Sequence, residues 1–350
     1  MTDNSKETNF NQDWNEIKHW ISSHDVNIEK SSMWKNLIKD FEISGIANHK
    51  KDFLFKPNSQ RGYGFVLKSE ETISFLIEKK ILEFTHFLTR CLNYMRGRIY
   101  SRNLSGLGNN SLTCHPTGLY WLNREGLFES YKEYCNSNGF SFCANNGAKL
   151  FYISSLFDPL IGQKNVLNIL EIGAGVGTLA GILKYRFSMI KTYIIVDLPE
   201  MLLNSSLTLN ALFPDVPIYF VFPGKKHATS FDKPGFYLCV PQSTDEIPND
   251  EFDFALNIDS FQEMTETQVE QYISLIQRSV RNGGHFINLN RRKKLDEENF
   301  DNNPLCYPYY PENKILKWET DRFMDRTINY SKVRTDGSLL RIEQVRKRKE

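Results

Sequence analysis

The chain has 350 residues, 40% of them apolar and 13% aromatic, which is enough for a sizeable core and too much for a disordered or fibrous protein. Lys plus Arg number 43 and Asp plus Glu 42, so the formal charge of +1 disfavours a general polyanion binder and, with it, a nucleic-acid partner. No uninterrupted apolar run approaches the ~18 residues that a membrane span needs.

The polar opening, MTDNSKETNFNQDW, has no apolar stretch of the signal-peptide kind. The six cysteines, Cys91, Cys114, Cys135, Cys143, Cys239 and Cys306, form no C-x-x-C pair. Together these features predict a cytoplasmic protein whose thiols are reduced and buried as small hydrophobes.

Along the chain, Trp14, Ile17, Trp20 and Ile21 fall at helical spacing, as do Trp34, Leu37, Ile38 and Phe41. Residues 68–100 read as the longest helix. The Gly/Asn/Ser-rich stretch 101–118 reads as a loop of the length that tends to carry function. Residues 119–162 read as helical, broken at NSNGF and ANNG.

From about residue 165 the pattern changes. Five strands are predicted: 166–170, 193–197, 217–221, 252–257 and, after the turn NGG, 285–290. Helical segments separate them, which predicts right-handed crossovers and a doubly wound parallel sheet. A further strand, 236–240, has no evident place within the insertion 223–250. The segment 325–345, with the turn TDGS, predicts a hairpin that returns antiparallel. The resulting division is a helical N-terminal region over 1–150, serving as lid, acceptor platform or homodimer surface, and a cofactor domain over 151–350.

Chemistry concentrates in LNILEIGAGVGTLAGIL, residues 167–183. A strand ends in Glu171, then Gly173, Gly175 and Gly177 precede a helix that opens near Thr178. Glycines here allow a tight turn and close approach to a ligand facing the helix amides. A dinucleotide fingerprint requires G-x-G-x-x-G, and position 178 is Thr. The next strand ends in Asp197, 26 residues after Glu171, where a carboxylate can accept ribose hydroxyls or merely cap the following helix.

The pattern acidic-x-G-x-G-x-G resembles motif I of class I S-adenosylmethionine-dependent methyltransferases, and VDLPE (196–200) resembles the matching segment of O-methyltransferases. The string D-S-F-Q-E-M (259–264), with NGGHFINLNRR after it, resembles bacterial sugar O-methyltransferases. The resemblance is strongest over 160–292. It implies a Rossmann-like methyltransferase sheet, S-adenosylmethionine as cofactor, and a sugar hydroxyl as acceptor, in cell-surface polysaccharide synthesis. The implied cofactor site is Glu171, Gly173, Ala174, Gly175 and Gly177 on the loop, with Asp197, Leu198 and Asn257. Glu171 would lie near the cationic methionine end.

Methyl transfer is an in-line displacement, and a sugar hydroxyl needs a base or a metal to assist it. Plant-type O-methyltransferases place a His after strand four; this sequence has none there. The candidates are Asp259 and Glu263, four apart and so on one face if a helix has begun, acting as base, as holders of a divalent ion, or as cap and first-turn carboxylate. His115, in the long loop, is the other base candidate. Ser260, Gln262, Asn288, Asn290 and Arg291 are expected at the substrate side. The aromatic run 307–318 could stack on sugars or pack against a sheet edge. Three readings stay open beside this one: a phosphorylated, nucleotide-linked or nitrogen acceptor; a nicotinamide oxidoreductase; and a scaffold that binds no cofactor.

Overall fold

The computed structural model describes residues 13–17, 19–21, 65–67, 126–138, 140–142, 144–224, 231–291, 303–321 and 337–348. The predicted helices at 34–41 and 68–100 and the loop 101–118 with His115 lie outside the described residues. A short ribbon pairs β1 (Phe65–Leu67) with β2 (Phe140–Phe142) antiparallel. Helices α1 (Leu127–Ser137), α2 (Ala144–Ser155) and α3 (Asp158–Ile161) fall in the predicted helical stretch; α1 ends inside NSNGF, whose last residue opens β2, whereas the predicted break at ANNG is the first turn of α2.

The main sheet has eight strands: β3 (Leu167–Ile172), β4 (Ile190–Val196), β5 (Ile218–Val221), β6 (Gly235–Cys239), β7 (Phe252–Ile258), β8 (Val280–Arg291), β9 (Lys314–Thr320) and β10 (Ser338–Gln344). Their order is β5-β6-β4-β3-β7-β8-β10-β9. The first six are parallel, and β10 runs antiparallel to both neighbours. This is the doubly wound, Rossmann-like α/β sheet that the sequence predicts.

Two details differ. The unplaced strand 236–240 is interior: β6 lies between β4 and β5, and its five residues are all buried, as a strand covered on both faces must be. The NGG segment is no turn, because β8 runs through it, with Gly283 at φ 84 and a register shift against β7. β10 returns antiparallel as predicted, between β8 and β9, while the residues just ahead of TDGS lie outside the described residues.

Helices α4 (Thr178–Arg186), α5 (Pro199–Leu212) and α6 (Glu266–Ser279) make the crossovers. Proline at the first position starts α5, and a reciprocal Thr265/Gln268 capping box starts α6. One face of the sheet packs Ile169, Tyr193, Leu256 and Leu289 against α4, α5 and the helical residues Trp14, Ile17, Trp20 and Ile21. The other packs Leu170, Ile194, Ala255 and Phe286 against α6 and Tyr307. Among the described cysteines, Cys135 and Cys239 are buried as expected, whereas Cys306 is exposed on a 3-10 turn, where nothing covers it.

One register row crosses the whole sheet near the carboxyl ends of its parallel strands: Val221, Cys239, Val196, Ile172, Asn257, Asn288, Arg341 and Trp318. It is apolar on the β5 side and polar from β7 onward. In such sheets ligands bind beyond this edge, where crossovers depart in opposite directions.

Candidate active site

The residues that follow the register row build the site. After β3 the chain turns at Gly173, whose φ of 76 is disfavoured for any residue with a side chain. A Cβ there would lie 1.9 Å from Ser260 Oγ and 2.4 Å from its Cβ, so the loop after β7 rests directly on the glycine turn. Gly177 sits at φ 77 as the N-cap of α4, against Ser205 and Leu209 of α5. Ser205 Oγ donates to the carbonyl of Gly175 at 2.8 Å, which ties the loop to α5.

Asp197 closes the loop from the β4 side. One carboxylate oxygen accepts the Gly175 N–H at 2.7 Å and the other accepts the Leu198 N–H at 2.7 Å. Burial pushes this carboxyl up to about 7; the two amides pull it back, and the negative charges of Glu200 and Glu263 push it up further. Glu171, buried beneath the loop, accepts the Tyr193 hydroxyl at 2.6 Å. Burial raises it to about 7, the Tyr193 bond opposes the rise, and the charge of Asp197 adds to it. Among the described residues, the charges acting on these two carboxyls are negative: Glu200 and Glu263 on Asp197, and Asp197 on Glu171.

Past β7, Asp259 stands at φ 56, a left-handed conformation that Asp tolerates better than most residues. Phe261–Glu263 form a single 3-10 turn, and α6 begins only at Glu266. Asp259 and Glu263 therefore do not share a helix face, and the cap of α6 is Thr265. Both are half-buried at the mouth, together with Gly173, Ala174, Gly175, Asp197, Leu198, Ser260 and Arg291.

Of the residues expected at the site, Asn257, Gln262, Asn288 and Asn290 are buried in one hydrogen-bonded network, and Glu171 and Gly177 are buried as well. Asn257 is fully buried, with Nδ2 donating to the Ile172 carbonyl at 3.0 Å and Oδ1 accepting from Phe261 N at 3.0 Å and Asn290 Nδ2 at 2.8 Å. Asn290 Oδ1 accepts from Gln262 N, and Gln262 Oε1 from Arg291 N. Asn288 takes Asn290 Nδ2 on its oxygen and donates to Tyr309 Oη at 2.6 Å. These side chains fix the ends of β7 and β8 against the glycine turn, and their bonding leaves the mouth to their neighbours. Tyr193, Ser205 and Glu200 went unnoticed in the sequence. Tyr193 was legible in principle: β3 and β4 pair in parallel, which places it diagonal to Glu171 on one face.

Among the described residues no group of three or more His, Cys, Asp or Glu could hold a metal ion. No described helix is long and apolar enough to cross a membrane.

No protein-family model matches the chain, and no curated protein does. Among solved structures it is similar to a Sulfolobus solfataricus protein described as a type 11 methyltransferase, at 17% identity over 57% of this chain and 94% of the other, with TM-score 0.33. It is similar to the [4+2]-cyclase SpnF, at 14% identity over 57% and 82%, with TM-score 0.38. It is also similar to the YcgJ protein of Bacillus subtilis, at 11% identity over 56% and 99%, with TM-score 0.37. None of the three says which reaction this chain runs.

Proposed function

We propose that the chain is an S-adenosylmethionine-dependent methyltransferase that acts on a hydroxyl of a sugar. The observation that carries this reading is the carboxylate of Asp197 on the Gly175 amide, amid Glu171, Glu200 and Glu263. In a dinucleotide site the loop amides face a pyrophosphate. Here a carboxylate already takes one of them, and the surrounding charge repels phosphate. A ligand with ribose hydroxyls, no phosphate and a positive centre suits the same groups. That disfavours the nicotinamide and the nucleotide-linked alternatives together.

When bound, the cofactor supplies a methyl group activated by a sulfonium. The chain's own residues bind and align. Asp197, half-buried, keeps lone pairs beyond its two amide bonds for ribose hydroxyls. The half-buried Gly173–Gly175 backbone lets the ligand approach closely. Asp259 or Glu263, at the mouth on the β7 side, takes the proton of the acceptor hydroxyl. The sugar class rests on the D-S-F-Q-E-M resemblance.

Calorimetric titration with S-adenosylhomocysteine, with NAD and NADP in parallel, tests the cofactor. The expected result is saturable micromolar binding of the homocysteine compound alone. Binding of a nicotinamide cofactor, or of nothing, overturns the reading.

A further inference from the structure

Arg291 ends β8 at the mouth of the site, where it is half-buried. Its backbone is fixed from the β7 side. The Arg291 N–H donates to Gln262 Oε1 at 2.8 Å, and the Gln262 N–H donates to Asn290 Oδ1 at 3.1 Å. This reciprocal clasp holds the end of β8 against the 3-10 turn that carries Glu263. Asp259 joins the same strand end, because its N–H donates to the Leu289 carbonyl at 2.8 Å. Arg291 therefore adjoins both carboxylates that could take the acceptor proton.

The Arg291 guanidinium, in contrast, has no hydrogen bond, ion pair or ring contact with any described residue. The other arginines among the described residues, Arg186, Arg278, Arg281, Arg341, Arg346 and Arg348, each reach an oxygen of the protein. Across the sheet Arg291 is in register with the uncharged Ser338. Asp321, whose N–H donates to the Ser338 carbonyl, is engaged by the Tyr152 hydroxyl at 2.5 Å. A half-buried guanidinium gives up part of its hydration, and its planar fork of donors matches a carboxylate in two bonds.

We propose that Arg291 binds a carboxylate of the acceptor, so that the sugar methylated is a uronic acid. The guanidinium fork donates to both carboxylate oxygens, and a hydroxyl of the same sugar faces Asp259 or Glu263. A carboxylate brings one negative charge, which one guanidinium neutralises. A phosphate monoester brings about 1.5 to 2 near neutral pH, and the surplus would meet the acids of the mouth. The inference rests on the sugar reading above and narrows it.

The test is calorimetric titration of the protein saturated with S-adenosylhomocysteine. The probes are the methyl glycosides of glucuronic, galacturonic and mannuronic acid, the methyl ester of each, and the matching hexose 6-phosphates. The ester keeps the ring and its hydroxyls and removes the charge. At least one uronate is expected to bind about tenfold tighter than its ester and its phosphate counterpart. Arg291→Gln should remove that preference, and Arg291→Lys, which keeps the charge without the fork, should retain part of it. Melting temperature should hold in Arg291→Gln, since the guanidinium supports nothing among the described residues, and this separates lost binding from misfolding. Uronates that bind no better than their esters, or a preference that survives in Arg291→Gln, overturn the carboxylate site while the sugar reading stands. Preference for a phosphate also overturns it and assigns Arg291 to a phosphorylated acceptor. Failure of S-adenosylhomocysteine to bind the wild type overturns the methyltransferase reading instead, and the same titrations on the unliganded protein then decide the carboxylate site.

Discussion

Asp197 and Gly175, 22 residues apart, are joined by a 2.7 Å hydrogen bond from the glycine amide to the carboxylate. The bond couples the end of β4 to the turn after β3, so the residue that would hold ribose also sets the shape of the loop. Its other carboxylate oxygen accepts the Leu198 amide, the residue at the N-cap of α5, without making a side-chain cap of that helix.

Asp197→Ala is therefore expected to cost cofactor affinity and loop order together. Loss of charge-assisted hydrogen bonds of this type costs about 1–3 kcal/mol, or roughly tenfold to a hundredfold in S-adenosylhomocysteine affinity by calorimetry. Amide exchange at Gly175 should accelerate in the same variant. A folded variant with wild-type affinity would sink the assignment.

The second expectation concerns pH. Glu171 and Asp197 each titrate at about 7 in the folded chain, above the unfolded carboxylate range. A folded pKa above the unfolded one means that their contribution to stability is fully present below about pH 4 and is lost as pH rises through 7. Stability should fall over that interval, and Glu171→Gln, which can still accept from Tyr193, should flatten the fall. A cationic ligand works in the opposite sense. It favours the ionised acids, so affinity for S-adenosylmethionine should rise from pH 6 to pH 8 and binding should release protons. Titrations at pH 7 in buffers of different ionisation enthalpy count those protons; a count of zero contradicts the electrostatic picture.

The sheet was legible because β3, β4 and β7 are continuous apolar runs punctuated by glycines and acids. What escaped the sequence depends on pairing across distance. β6 reads as an isolated strand until its parallel partners on both sides are known. Asn257, Asn288 and Asn290 look like open binding groups in a string of letters. Only the register shows that they face one another and spend their amides there. The glycine loop, in contrast, is local chemistry, and its residues stand together as the spacing implied.

Gly173 and Ser260 give a third expectation. A methyl group at position 173 would overlap Ser260 Oγ at 1.9 Å and would strain a backbone at φ 76. Backbone strain of this kind costs about 1–3 kcal/mol, so Gly173→Ala should lower the melting temperature by several degrees and weaken S-adenosylhomocysteine binding. Ser260→Gly removes the side chain it meets and should restore part of the loss, leaving the φ penalty. A double-mutant cycle separates the two contributions. Additive effects would show that the loops do not touch as described.

The last expectation separates the two carboxylates at the mouth. Asp259 occupies a left-handed backbone, a conformation that Asn and Gly also accept. Asp259→Asn should thus keep the melting temperature, while Asp259→Val should lower it. Glu263 sits on a 3-10 turn whose backbone requires no special residue, so Glu263→Gln is a clean removal of charge. If either acid takes the acceptor proton, its amide variant should lower turnover by about 10²–10⁴-fold, the usual share of general base catalysis, at nearly constant S-adenosylhomocysteine affinity. The variant of the other acid should change turnover far less. Turnover in the true base variant should also recover at high pH as the acceptor hydroxyl ionises unaided. If both amide variants keep full activity, the base lies elsewhere, and His115 in the long loop is the next residue to replace.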